Sequence, residues 1–166
     1  MSMKPSVKDA YEFLEIMNDF TDPREVIREA ISNSYDAEAK KLEIEIIRFQ
    51  ESGNPELKII IKDDGEGMIG EPQNSDEKKI PNIMAFFSLG DSTRRSYDPT
   101  TWEKKSAGIG TKGHGAKIFY KSKVVEVETY RSNNKTTALV REPLKHFYKG
   151  ELPEIDIKTT TCNPPD

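Results

Sequence analysis

Residues 24–41, REVIREAISNSYDAEAKK, most constrain how this chain can fold. Val26, Ile27, Ala30, Ile31, Ser34 and Ala37 are small or apolar at helical spacing, which predicts a helix with one face on a core. Glu29, Asn33, Asp36 and Lys40 recur at i, i+4, i+7 and i+11. That spacing lines up a carboxylate, a carboxamide, a second carboxylate and an ammonium on one stripe. Asp22 as N-cap, Pro23 at the first helical position and Glu25 at the third predict a capping-box start. On the helix alone, a solvated polar face accounts for the stripe, with Glu29 and Asp36 each meeting Lys40 or Arg28. Two later segments give it another meaning.

The chain has 166 residues, enough for one domain with its own core, and 1–166 is read as a single domain. Charged residues make up 33% and the net charge is −4, so bulk charge does not favour a nucleic-acid binder. Arg94, Arg95, Lys104, Lys105, Lys112 and Lys117 make one region locally basic, which phosphate binding partly explains. No apolar run is long enough to span a membrane and no secretory pattern opens the chain, so a cytoplasmic protein is expected. Cys162 is the only cysteine, and His114 and His146 the only histidines. These exclude an internal disulfide and argue against a cysteine- or histidine-based metal cluster.

A first helix is expected over 6–19 with Ser6 as its cap. Residues 42–49 alternate apolar and charged, the pattern of a half-buried strand, and 57–62 form its hairpin partner across a Ser-Gly-Asn-Pro turn. Ile59, Ile60 and Ile61 in succession predict burial on both sides. Beyond them lies polar sequence interrupted by a short apolar helix over 80–89. A glycine-rich loop then leads into another helix near 118–120. Strands are expected over 123–130, 136–142 and 155–161, with 144–151 irregular. This order predicts an α+β, two-layer sandwich: a mixed, mostly antiparallel sheet covered on one face by helices.

The first hairpin runs straight into Asp63-Asp64-Gly65-Glu66-Gly67-Met68. A carboxylate at a strand end can accept from an exocyclic amine, and glycines let the chain approach a flat ring. The loop 108–115 holds four glycines in eight residues directly before a helix, an arrangement that presents bare N–H groups to anions. It lacks the G-x-x-x-x-G-K-[ST] spacing of a P-loop.

Together, Glu-x-x-x-Asn-x-x-Asp on a helix, Asp-x-Gly-x-Gly after a strand and Gly-x-x-Gly-x-Gly before a helix occur in a fixed order. This resembles the GHKL ATPases, the group of gyrase, the ninety-kilodalton heat-shock chaperones, histidine kinases and MutL. The resemblance implies the Bergerat ATP-binding fold, with ATP and Mg²⁺ bound. Carried over, Asn33 would ligate Mg²⁺ and Glu29 would be the general base that activates the attacking water. Asp36 would line the pocket. Asp63 would accept from the adenine amino group, with Gly65 beside it and Gly67 and Met68 flanking the ring. Gly110, Gly113 and Gly115 would form the phosphate-binding hinge of a lid over 69–113. Lys112 would reach the γ-phosphate when that lid closes.

Glu29 resembles the hydrolysing branch, because histidine kinases typically carry Asn one turn before the metal-binding Asn. Gly90, Ser92 and the residues 107–110 look closer to the MORC and MutL-like lids than to those of the kinases. Hydrolysing members also carry a threonine strand that touches the pocket, often opening Gly-Thr. No such pair opens a strand here, and Thr136, Thr137 and Thr159–Thr161 are the candidates. A further domain that supplies a lysine to the γ-phosphate is not evident, so the chain reads as an isolated module with slow hydrolysis. ATP-dependent homodimerisation through a region outside this sequence is expected, gated by lid closure. Two other readings are a kinase-like phosphotransferase domain, against which Glu29 speaks, and a degenerate docking module, against which Glu29, Asn33 and Asp63 speak.

Overall fold

The computed structural model describes residues 9–70, 76, 81–89 and 115–162, and residues 95–97 and 104–106 as backbone. Helix α1 (Asp9–Asn18) buries Ala10, Phe13, Ile16 and Met17, the inward stripe of its apolar pattern. Ser6, its expected cap, lies outside the described residues.

Helix α2 (Glu25–Asp36) is the predicted central helix, but shorter than expected at both ends. Asp22 does begin the turn: its carboxylate accepts the Arg24 amide at 2.9 Å and pairs with the Arg24 guanidinium. That hydrogen-bonded pairing holds the Asp22 carboxyl down to about 2. Glu25 does not close a capping box; it pairs with Arg28. The far end stops at Asp36 because the chain is captured from elsewhere. The amides of Lys40 and Lys41 both donate to Asp64 Oδ1, at 2.7 and 2.8 Å, and the Ala37 carbonyl accepts from Glu66. Asp64 is held below the ordinary aspartate range by those two amides. Lys40 therefore leaves the helical stripe on which the sequence placed it.

Strands β1 (Leu42–Glu51) and β2 (Asn54–Asp63) form the expected antiparallel hairpin. Ser52 and Gly53 both take positive φ, 51° and 83°, the two-residue turn whose twist matches the strands. The expected burial of the hairpin does not hold. Ile46 and Leu57 are 60% and 63% exposed, and Ile44 and Ile59 also face outward. The physical reason is that among the described residues the hairpin is a sheet of its own, with no layer packed over these side chains. Side chains rather than a backbone ladder join it to the next sheet. Lys123 bonds Glu51 and Glu56 at 2.7 and 2.9 Å at one end, and Arg131 pairs with Glu66 at 3.1 Å at the other.

Helix α3 (Ile83–Phe87) is capped by Asn82, whose Oδ1 accepts the Ala85 amide at 2.8 Å. Ile69 forms a parallel bridge with Asn82, so the chain before and after 71–80 is tied together. Strands β3 (Arg95–Tyr97) and β4 (Lys104–Ser106) pair antiparallel. A 3-10 helix covers Gly115–Lys121. Strands β5 (Val124–Arg131), β6 (Asn134–Arg141) and β7 (Asp156–Thr161) form an antiparallel sheet with β6 in the middle. Val125 and Thr129 on β5, and Thr136, Ala138 and Val140 on β6, face inward as their alternation predicts. Between β6 and β7, where irregular chain was expected, α4 (Pro143–Tyr148) opens with Pro143 in its first turn.

The core lies between α1, α3, α4, the 3-10 helix and the β5–β6 face. Phe13 stacks on Phe147 at 5.0 Å, and Tyr120 stands edge-on to both, at 5.5 and 5.3 Å. Such pairings add to area burial and fix the 3-10 helix. Burial pushes the Tyr120 phenol well above its ordinary value, and its hydroxyl donates to the Phe87 carbonyl at 3.0 Å. Helices and antiparallel sheets together make the α+β class expected from the sequence.

Candidate functional site

Helix α2 turns its polar stripe inward rather than into solvent. Glu29, Asn33 and Asp36 are half-buried, while Arg28, Ile31 and Tyr35 are the exposed side chains of the helix. Ala30 and Ser34 are the fully buried positions. A freely solvated face would show the reverse, so the bland account of the stripe does not describe this helix.

Asn33 stands one turn after Glu29 on the same face of α2, close enough for its carboxamide to influence the Glu29 carboxyl. Burial pushes the Glu29 carboxyl above the ordinary glutamate value. The neighbouring Asn33 carboxamide and the charges of Arg28 and Lys117 pull it back, while Asp36 raises it further. The Glu29 carboxylate rests against Gly115, where a Cβ would overlap it. Glu29 therefore joins α2 to the 3-10 helix, and the two elements pack together.

Asp63 ends β2. Ser34 of α2 donates to its Oδ2 at 3.1 Å, and the Gly65 amide to its Oδ1 at 2.9 Å. Each carboxylate oxygen has a second lone pair and can accept once more. A Cβ on Gly65 would stand 2.8 Å from the Ala37 Cβ, so this glycine brings the loop onto the end of α2. Gly67 takes φ +70° and lies so close to the Tyr130 carbonyl that a side chain would overlap it. The close approaches at both glycines are to protein.

Three residues that the sequence reading did not select hold this loop. Thr129 accepts the Met68 amide at 2.7 Å, Arg131 donates to the Gly67 carbonyl at 2.9 Å, and Ser34 orients Asp63. A signal existed for Thr129, a polar residue alternating with Val125 and Val127 on an inward face. Of the threonine candidates, Thr136 and Thr159 meet at 3.0 Å beside Gly70. Thr129→Val keeps the shape of the side chain but orphans the Met68 N–H. It is expected to lower folding stability by about 1–3 kcal/mol in chemical denaturation, with Thr129→Ser close to the parent.

Lys117, read as a phosphate-facing charge, is instead fully buried, and its Nζ donates to the Phe86 carbonyl at 2.5 Å. Gly110, Lys112, Gly113, Gly90 and Ser92 lie outside the described residues. Among the described residues, no three His, Cys, Asp or Glu side chains converge as a metal cage. Mg²⁺ needs none when a nucleotide supplies its other oxygens, and one carboxamide such as Asn33 suits it. Two surface hollows, of about 390 and 220 Å³, lie elsewhere. The first sits between α1 and the turn after α4, and the second beside the β5–β6 turn, reaching this loop only at Glu66 and Arg131.

The fold is an α+β domain whose central helix carries Glu29, Asn33 and Asp36 on one face. The family model of histidine kinase-, DNA gyrase B- and HSP90-like ATPases matches residues 21–161, and the chain belongs to this family. The matched span contains α2, the Asp63 loop, the 3-10 helix and β5 to β7. No curated protein matches the chain. Among the described residues, no helix is long and apolar enough to cross a membrane.

Proposed function

We propose that the chain binds ATP with Mg²⁺ along α2 and hydrolyses it slowly. The observation that carries this reading is that one helix organises both ends of the site. Ser34 orients Asp63 on one side, and on the other Glu29 rests against Gly115 with Asn33 one turn further along the helix. Asp63 then accepts the adenine amino group, with Gly67 and Met68 at the ring. Asn33 supplies a carboxamide oxygen to Mg²⁺, and Asp36 lines the same face. Mg²⁺ neutralises charge between the phosphates when bound. Glu29 orients the attacking water and takes its proton, and its burial raises its basicity toward that task.

The region 69–113 acts as the lid, and its closure gates pairing with a second copy or a partner. Inside that stretch the chain is tied to the body: Asn82 bridges to Ile69, and the Phe86 carbonyl accepts from Lys117. Within 69–113, helix α3 is not part of the moving lid, since Ile83 and Phe87 lie in the core.

Phosphate release from ATP, measured with purified chain, tests the reading. A Mg²⁺-dependent rate below about 1 s⁻¹, at the low edge of ordinary enzyme turnover, is expected. No release above blank, or transfer of phosphate to protein, would contradict it.

A further inference from the structure

Gly115 opens the 3-10 helix, and the space its missing side chain leaves is filled from across the site. A Cβ there would overlap the Cδ and both carboxylate oxygens of Glu29. The helix cannot easily retreat to make room. Two residues on, Lys117 is fully buried and bonds the Phe86 carbonyl; Tyr120 bonds the Phe87 carbonyl and sits in the aromatic cluster. The 3-10 helix that Gly115 opens is thus held from behind by two side-chain hydrogen bonds to α3, one buried and one partly buried. Any conflict at this point falls on the Glu29 side chain, which is long and can swing.

We infer that Gly115 is a positioning residue for Glu29: its bare Cα is the seat that places the carboxylate beside Asn33. This rests on the ATPase reading for its catalytic consequence, but not for the seat itself. A glycine in a phosphate loop serves by giving its backbone to the anion. A glycine that seats a base serves by giving up its volume. The two roles separate on substitution by alanine, which keeps the backbone N–H and adds only the Cβ.

The seat is tested first on the nucleotide-free chain. Asn33 lies one turn from Glu29 on the same helix face, so its side-chain amide resonance reports where the carboxylate lies. Gly115→Ala is expected to move that resonance as Glu29→Ala does; an unmoved resonance overturns the inference. The consequence is tested next. Gly115→Ala should lower kcat by about 100-fold or more, the span of a lost general base, with KM and the ADP-induced melting shift within about twofold of the parent. Adding Gly115→Ala to Glu29→Ala should cost no further rate. Loss of the ADP shift in Gly115→Ala, or multiplying rate losses, would show instead that Gly115 meets phosphate. A parent chain without hydrolysis fails the ATPase reading alone, and the Asn33 resonance still decides the seat. Should Gly115→Ala not fold, the double variant decides: folding supports a seat vacated by Glu29, and failure to fold overturns it.

Discussion

Replacing Glu29 with alanine is expected to reduce ATP hydrolysis by about 100- to 10,000-fold while leaving nucleotide binding in place. The expectation follows from position and chemistry together. Glu29 is half-buried one turn before Asn33, so it can reach a water near the phosphates without occupying the metal. Burial lifts its carboxyl above the ordinary glutamate value, which strengthens it as a base. The loss corresponds to about 2.7–5.4 kcal/mol of transition-state stabilisation, at 1.36 kcal/mol per tenfold. Glu29→Gln is the sharper variant, because it keeps the length and shape that rest on Gly115 and removes only the basic oxygen. Phosphate release and an ADP-dependent melt, run side by side, check both halves. Equal loss of rate and binding would mean that Glu29 holds nucleotide rather than activating water.

Asp63→Asn is expected to abolish nucleotide binding with little effect on the fold. Asparagine can still accept the Gly65 amide through its oxygen, and its amide can donate to Ser34 Oγ, so the local network survives with one bond reversed. What is lost is a carboxylate oxygen with a lone pair free for the adenine amine. At a hundredfold excess of ligand over Kd, binding to the folded state alone adds about 2.7 kcal/mol. For a chain of this size that corresponds to a rise of about 5–11 °C in Tm. The parent should show that rise with ATP and Asp63→Asn should not, while the two melt alike without nucleotide. A persistent shift in Asp63→Asn would place the base elsewhere.

Much of this site was legible because its residues report local chemistry. Helical spacing brought Glu29, Asn33 and Asp36 to one face, and a strand running into Asp63-Asp64-Gly65 marked the loop. Strands β5 to β7 followed from alternation and their turn residues. What escaped the sequence depends on partners distant along it. Helix α2 ends at Asp36 because Asp64 claims the amides of Lys40 and Lys41, a capture that helical periodicity cannot register. Alternation in β1 shows which side chains share a face but not whether another layer covers them, which is why Ile46 and Ile59, expected to be buried, are exposed. Lys117 looked like a phosphate contact because it follows a glycine-rich loop. Its burial under Phe86 comes from tertiary packing alone. Helix α4 could have been found, since Pro143 followed by Leu144 is a standard opening turn.

The most direct test of the central claim is a thermal melt of the chain and of Asn33→Ala with Mg²⁺-ATP and with ATP plus EDTA. The account predicts that the chain rises several degrees with Mg²⁺-ATP, that EDTA removes most of the rise, and that Asn33→Ala responds alike in both. No rise with Mg²⁺-ATP, or a rise indifferent to both EDTA and Asn33, would contradict a magnesium-nucleotide site on α2.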